Sequence, residues 1–244
     1  MCRIIPKTID TLVVSYGGVG TTFVIDFLQK HRNVNDSQDT DGLKHLPFQP
    51  ISLGQNLKVL YVFGDPVEAV ISLFRRRFHS TQSVKLSPFA MRNVSHEMSL
   101  EEYADLERDS LLLGRHFRHW LSNPLGYPTL FVSYHDLWSN LDSIFDFFEI
   151  SKDRIDDFPR QKTRNSSVEK IDPIVLEKLT STYDSLREEL ASIGSIMALD
   201  QTTVHPSLGA IASVNAAMIP YHSAIHCGKK LMGQLRQTHS AHNA

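Results

Sequence analysis

Apolar residues fall in short blocks along the chain, and turn residues separate them where the period changes from strand to helix. Leu12 to Val14 form the first block and run into Ser15-Tyr16-Gly17-Gly18-Val19-Gly20. Thr21-Thr22 follow, then Phe23, Val24, Ile25, Phe27 and Leu28 at helical spacing. Residues 33–42, NVNDSQDTDG, are polar throughout and read as a solvated connector. Lys58–Phe63, KVLYVF, is a second buried strand. It closes at Gly64-Asp65-Pro66, with Asp65 placed as N-cap and Pro66 at the first helical position. The helix that follows carries Val67, Val70, Ile71, Phe74 and Phe78 on one face. Residues 80–94 show no clean period and read as loop. Ser99 and Glu102 fit a capping box opening one long helix to Leu121, which Asn123-Pro124-Leu125-Gly126 stops. Thr129–Ser133, TLFVS, is a third strand; Leu141, Ile144, Phe145 and Phe148 mark the next helix. Asp172-Pro173 opens a last one with Leu176, Leu179, Tyr183, Leu186 and Leu190 as its stripe. These stripes read as core faces.

Short apolar strands alternating with helices predict an α/β fold, a parallel sheet with helices on both faces. Right-handed crossovers put the strand C-termini on one edge, where such sheets bind ligands. Residues 16–22, 64–72 and 134–137 converge there. The α/β domain is expected to span residues 1–197. Over residues 198–244 the pattern fades: Pro206, Gly209, Pro220 and Gly228 interrupt small and polar residues, which reads as a weakly ordered extension with some helix near 207–218. His205, His222, His226, His239 and His242 lie there with no zinc-site spacing.

A chain of 244 residues fits one domain with a tail and can bury a sizeable core. The net charge of −2 creates no global field for nucleic acid or an anionic membrane. Cys2 and Cys227 form neither a disulfide framework nor a metal-ligand pair, which points to a reducing compartment. The first ten residues lack an apolar signal core, and no apolar run reaches the length of a membrane span. The expectation is a cytoplasmic protein with no nucleic-acid partner, no membrane span and no metal.

The turn at residues 15–22 carries the chemistry. Glycines let the backbone turn sharply and approach a ligand. The helix start adds unpaired N–H groups and the positive end of a dipole, which together attract an anion, usually a phosphate. Thr21 and Thr22 add hydroxyl donors. Gly20 is followed by Thr21, so the Walker A lysine is missing, and there is no G-x-G-x-x-G fingerprint. A tight strand-to-helix turn without a ligand is the alternative.

Taken together these segments resemble the sulfotransferases that use 3′-phosphoadenosine 5′-phosphosulfate (PAPS). That family carries a loop of the form Y-P-K-S-G-T-T-W, and Tyr16-Gly17-Gly18-Val19-Gly20-Thr21-Thr22-Phe23 aligns with it without a gap. Lys44-His45-Leu46-Pro47 is similar to the family's segment ending in H-L-P, whose histidine is the catalytic base. Lys58 to Phe63, then Gly64-Asp65-Pro66 and on to Ser72, matches the spacing of its second signature, a strand followed by R-[ND] and a serine that opens a helix. Tyr134-His135-Asp136-Leu137 is similar to its Y-E-D-L. The order holds over residues 11–150, and residues 165–190 have the family's general look.

The resemblance implies a P-loop NTPase-like, three-layer α/β/α sulfotransferase architecture with PAPS as co-substrate and no metal. The backbone of Gly17, Gly18, Val19 and Gly20 would hold the 5′-phosphate, with Thr21 and Thr22 donating to it. Ser72 would contact the 3′-phosphate and Tyr134 would lie near the nucleotide. His45, helped by Lys44, would take the proton from a hydroxyl or amine acceptor, a small molecule or carbohydrate. An unperturbed histidine, with a pKa of about 6.5, suits that task. His45 reads equally as a loop histidine bonded to backbone.

Two departures stand out. The family's loop lysine falls on Gly18, and its 3′-phosphate arginine on Gly64. Each charge-assisted bond contributes about 1.5–3 kcal/mol, so losing both costs about 3–6 kcal/mol, or roughly two to four decades of affinity. Lys44, one of Arg75, Arg76 and Arg77, or Arg160, Lys162 and Arg164 of a late loop are candidates to compensate, Arg164 for the cofactor's phosphate; each also reads as a solvated surface charge. Two other functions stay open: a non-catalytic protein that keeps the fold for binding, and a P-loop nucleotide kinase-like enzyme, against which the missing Walker lysine counts. The acceptor pocket is expected from residues 80–96 and parts of 33–55.

Overall fold

The structure is a computed structural model that describes residues 4–52, 56–123, 125–161 and 168–199. Strands and helices are numbered in chain order. Strands β2 (Thr11–Val14), β4 (Lys58–Phe63), β5 (Thr129–Ser133) and β6 (Ile196–Leu199) form the main sheet in that order, while β1 (Ile4–Ile5) and β3 (Ile51–Ser52) pair in a small parallel sheet. The three strands legible in the sequence, β2, β4 and β5, are parallel. They are buried along almost their whole length on both faces, which is why they read as continuous apolar runs. Helices α1 (Thr21–Leu28) and α2 (Pro66–Arg75) follow β2 and β4 as crossovers.

The two faces carry separate aromatic clusters. Tyr61 of β4 packs on Phe131 of β5 and on Phe117 and Trp120 of helix α5 (Leu113–Leu121). The other cluster joins Phe27 of α1 to Phe145 of α6 (Leu141–Phe148) and to Phe158.

The fourth strand, β6, runs antiparallel to β5, so the sheet is mixed and not wholly parallel. It spans the expected domain boundary at residues 197/198. The expected extension otherwise lies outside the described residues, as do its histidines, Cys2, Cys227, Lys162 and Arg164. No helix among the described residues is long and apolar enough to cross a membrane.

Three further expectations are corrected. Residues 80–94 are not all loop, because α3 (His79–Leu86) forms there. Its buried positions are mostly polar (His79, Ser80, Gln82, Ser83), so no apolar stripe announces it. The single helix from Ser99 to Leu121 is two. The capping box is present at α4 (Leu100–Ala104), but the chain breaks before α5. There Glu107 and Leu112 take left-handed φ angles, and the Asp109 carboxylate accepts the N–H groups of Leu113 and Gly114 at 3.0 and 2.8 Å. Tyr183 of α7 (Pro173–Ile193) donates to the same carboxylate at 2.9 Å, so a long-range partner holds the break. Phe78 is not on the α2 face: the helix ends at Arg75, Arg77 turns left-handed at φ 57°, and Phe78 is exposed.

The connector at 33–42 is also not simply solvated. Asn35 is fully buried; its side chain accepts from Val13 N at 2.8 Å and donates to Val13 O at 3.1 Å. Val34 makes a parallel bridge to Thr11. Strand β2 therefore lies between this segment and β4, which the chain reaches from opposite sides. Such a reversal opens a crevice at a strand's C-terminal end, the usual ligand position in sheets of this kind.

Candidate functional site

Two adjoining cavities open where β2 ends. The first, about 360 Å³, is lined by Gly17, Gly18, Gly20, Thr21, Thr22, Lys44 and His45, with Ser37 to Asp39 on one side and Arg76, Phe78, Thr81, Gln82 and Lys85 on another. The second, about 460 Å³, shares Gly20 and Thr22 with it and adds Phe23, Asp26, Lys30, Tyr134, Trp138 and Arg160. Both volumes fall within the range of small-molecule sites, about 300–1,000 Å³.

The glycines have separate reasons to be there. Gly17, Gly18 and Gly20 have φ of 94°, 74° and 73°, a region that side chains disfavour. At Gly18 there is no space either: a Cβ would lie 2.8 Å from the Cα and carbonyl oxygen of Ala69 in α2. Close approach of that helix excludes a lysine at this position. Above Gly17 the space is filled by Gln82, which donates to Tyr16 O at 3.0 Å. Val19 turns its side chain into the core, against Gly64. Helix α1 begins at Thr21 with no side-chain cap and no acidic residue in its first turn.

Lys44 is 7% exposed. Its Nζ donates to Thr22 Oγ1 at 2.7 Å and to Ser37 O at 2.9 Å. An ammonium has three donors, and one remains beyond these two. Accepting from Lys44 leaves the Thr22 hydroxyl hydrogen to be donated elsewhere. Burial pushes the Lys44 pKa down, while Asp39 pushes it back up.

His45 Nδ1 lies 2.8 Å from Ser15 O. A carbonyl only accepts, so Nδ1 carries the hydrogen and Nε2 the lone pair. Burial, against the opposing pull of Asp39, lowers its pKa to about 4, so the ring is neutral at physiological pH. Backbone thus fixes one nitrogen, as a loop histidine bonded to backbone would have it, and His45 also lines the cavity.

The structure thus brings Gly17, Gly18, Gly20, Thr21, Thr22, Lys44 and His45 together, and places Tyr134 in the adjoining cavity. Ser72 lines neither; its carbonyl accepts from Arg76 Nε at 3.2 Å. Arg164 lies outside the described residues. Sequence reasoning named the Arg75 to Arg77 cluster as a source of cations, and Arg76 is the member that lines the cavity. It did not single out Lys85 or Asp39, although both fall in the stretches expected to supply the acceptor pocket. They come from a polar helix and from a connector taken as solvated, segments with no periodic signal.

In the second cavity Phe23 stacks on Trp138 at 5.5 Å, and Tyr134 stands edge-on to both rings. That wall suits a flat apolar ring, with Lys30 and Arg160 at its rim.

No protein-family model matches the sequence, and no curated protein matches it. Among solved structures, the chain is similar to mouse sulfotransferase SULT7A1 complexed with PAP, at 13% identity and a TM-score of 0.41, over 76% of this chain and 89% of that one. A likeness that loose bears on neither ligand nor reaction, which rest on the residues themselves.

Proposed function

We propose that the two cavities hold one nucleotide, the sulfuryl donor PAPS, and that the chain transfers its sulfuryl group to a hydroxyl or amine of a small-molecule or carbohydrate acceptor. The observation that carries this reading is a single cavity joining an uncapped helix start, three left-handed glycines, a buried lysine and a neutral histidine. Backbone N–H groups of the loop and the hydroxyls of Thr21 and Thr22 hold the 5′-phosphate side, and Lys44, in the same cavity, adds its charge. Phe23, Tyr134 and Trp138 take the adenine. The donor supplies the sulfuryl group: the acceptor oxygen or nitrogen bonds to sulfur, the bond from sulfur to the 5′-phosphate oxygen breaks, and the acceptor's proton passes to His45 Nε2. With a pKa of about 4, His45 is a weak base that is always available at neutral pH.

The test is calorimetry with 3′-phosphoadenosine 5′-phosphate (PAP) beside AMP, and a mass-spectrometric screen for sulfated acceptors with PAPS. Micromolar PAP binding, with transfer lost in His45→Ala, is the expected result. A second reading, a nucleotide-binding protein without transferase activity, is favoured by the acidic surroundings of Gly64, where Asp65, Asp136, Asp184 and Glu188 line one cleft. PAP and AMP binding equally well would select it, because the 3′-phosphate would then contribute nothing.

A further inference from the structure

We infer that Lys85 of α3 supplies the cation that Gly18 cannot carry, and that Asp39 holds it in place. The inference rests on the nucleotide reading above. The backbone of Ala69 denies any side chain to position 18, so an anion on the glycine loop must be neutralised from elsewhere. The described residues lining that cavity offer three cations, Lys44, Arg76 and Lys85, against one carboxylate, Asp39. Lys44 spends two donors on Thr22 and Ser37. Arg76 is folded back, its Nε on the carbonyl of Ser72 and its guanidinium 5.4 Å from the Phe78 ring.

Lys85 is differently placed. Its Nζ pairs with Asp39 Oδ2. The Asp39 side chain is only 5% exposed, whereas that of Lys85 is 36% exposed. The carboxylate is fixed in its turn, since its other oxygen accepts from Lys44 N at 2.9 Å and its backbone is left-handed at φ 60°. Lys85 is thus tethered at one donor and open to the cavity with the others. A buried carboxylate facing a polyanion is unfavourable unless a cation lies between them, and Lys85 is that cation. The arrangement makes opposite predictions for the two partners: removing the lysine weakens anion binding, while neutralising the aspartate releases more of the lysine's charge and strengthens it.

The experiment is PAP calorimetry on the full chain and on Lys85→Met, Lys85→Arg, Asp39→Asn and the Lys85→Met/Asp39→Asn pair, with thermal melts to confirm folding. Asparagine tolerates the left-handed backbone and keeps an acceptor for Lys44 N. The expected result is a loss of about ten- to a hundredfold in Lys85→Met, near-native affinity in Lys85→Arg, and a several-fold gain in Asp39→Asn. If Lys85→Met fails to fold because Asp39 is left alone, the double variant removes both charges and is still expected to bind at least tenfold more weakly than wild type. Wild-type affinity in a folded variant lacking Lys85, or equal losses in Lys85→Met and Asp39→Asn, overturns the inference alone. An unaltered chain that gives no heat with PAP overturns the nucleotide reading and this inference with it.

Discussion

The ends of β2 and β4 are built alike and behave oppositely. Each strand stops at a glycine-containing turn and enters a helix at the same edge of the sheet. At the first, α1 has no side-chain cap and no acid in its first turn, and the cavity beside it carries three cations against one carboxylate. At the second, Asp65 caps α2, accepting from Val67 N at 2.8 Å and Glu68 N at 3.1 Å, and Glu68 adds charge in the first turn. The cleft beside it, about 600 Å³, has Asp65, Asp136, Asp184 and Glu188 against Arg187, whose Nε is on Asp65 at 2.9 Å. A helix N-terminus attracts an anion only while its own N–H groups lack one. The second is satisfied from within the chain by Asp65; the first has no side-chain cap. Tyr16 ties the two together, its hydroxyl donating to the Gly64 carbonyl and accepting from Gly64 N at 3.0 Å.

The strongest way to break this contrast is to place at the first turn the lysine that the sulfotransferases this chain resembles in sequence carry there. Gly18→Lys is expected to destabilise the fold by about 2–5 kcal/mol, about 1–2 from the left-handed backbone and about 1–3 from overpacking against Ala69, read as a lower urea midpoint. Unchanged stability with stronger PAP binding would show that the turn has room after all. Tyr16→Phe strips the hydrogen-bond partner from two buried groups of Gly64 and is expected to cost about 1–3 kcal/mol. Because it unties the two turns, urea unfolding should report it together with weaker PAP binding.

Asp65→Ala sharpens the contrast from the other side. Losing the cap costs about 1 kcal/mol of stability, while PAP affinity is expected to hold steady. A fall in affinity would mean that the second turn belongs to the site.

The smallest effect is on pH dependence. Burial holds His45 near 4, below the ordinary histidine value of about 6.5, and lowers His119 likewise to about 4. The unfolded chain therefore takes up protons more readily below pH 6.5 than the folded one. Stability from these two groups is full above that value and is lost as pH falls toward 4. A single such histidine contributes under about 1 kcal/mol at pH 6, so His45→Asn should flatten the curve of stability against pH only slightly between pH about 7 and 6. Transfer, if neutral His45 is its base, should be level above pH about 5 and fall through pH about 4.

Much of the frame was legible because its signals are local. Asp65-Pro66 and Asp172-Pro173 announce their helices, each aspartate accepting from a first-turn N–H, and Ser99 with Glu102 completes a capping box. Doubly buried strands leave apolar runs that mark β2, β4 and β5. What was illegible depends on partners far along the chain. The split between α4 and α5 needs Tyr183, and α3 buries polar groups that look solvated in isolation. The edge strand β6 is only half-buried and pairs on one side, so its composition carries little of the strand signal.

The amino-acid sequence by itself determined the succession of β2, β4 and β5 with their crossovers and the glycine turn after β2, because each follows from periodicity, capping chemistry or backbone freedom within a few residues; Lys44 and His45 were tied to that turn only through the family resemblance. Tertiary structure decided which charges serve that turn. Ala69 pressing on Gly18, Asp39 holding Lys85 across 46 positions, and Asp65 sealing the neighbouring helix are all contacts between distant segments. Electrostatics in a site depends on distance and burial, and neither is written in the spacing of residues along a chain.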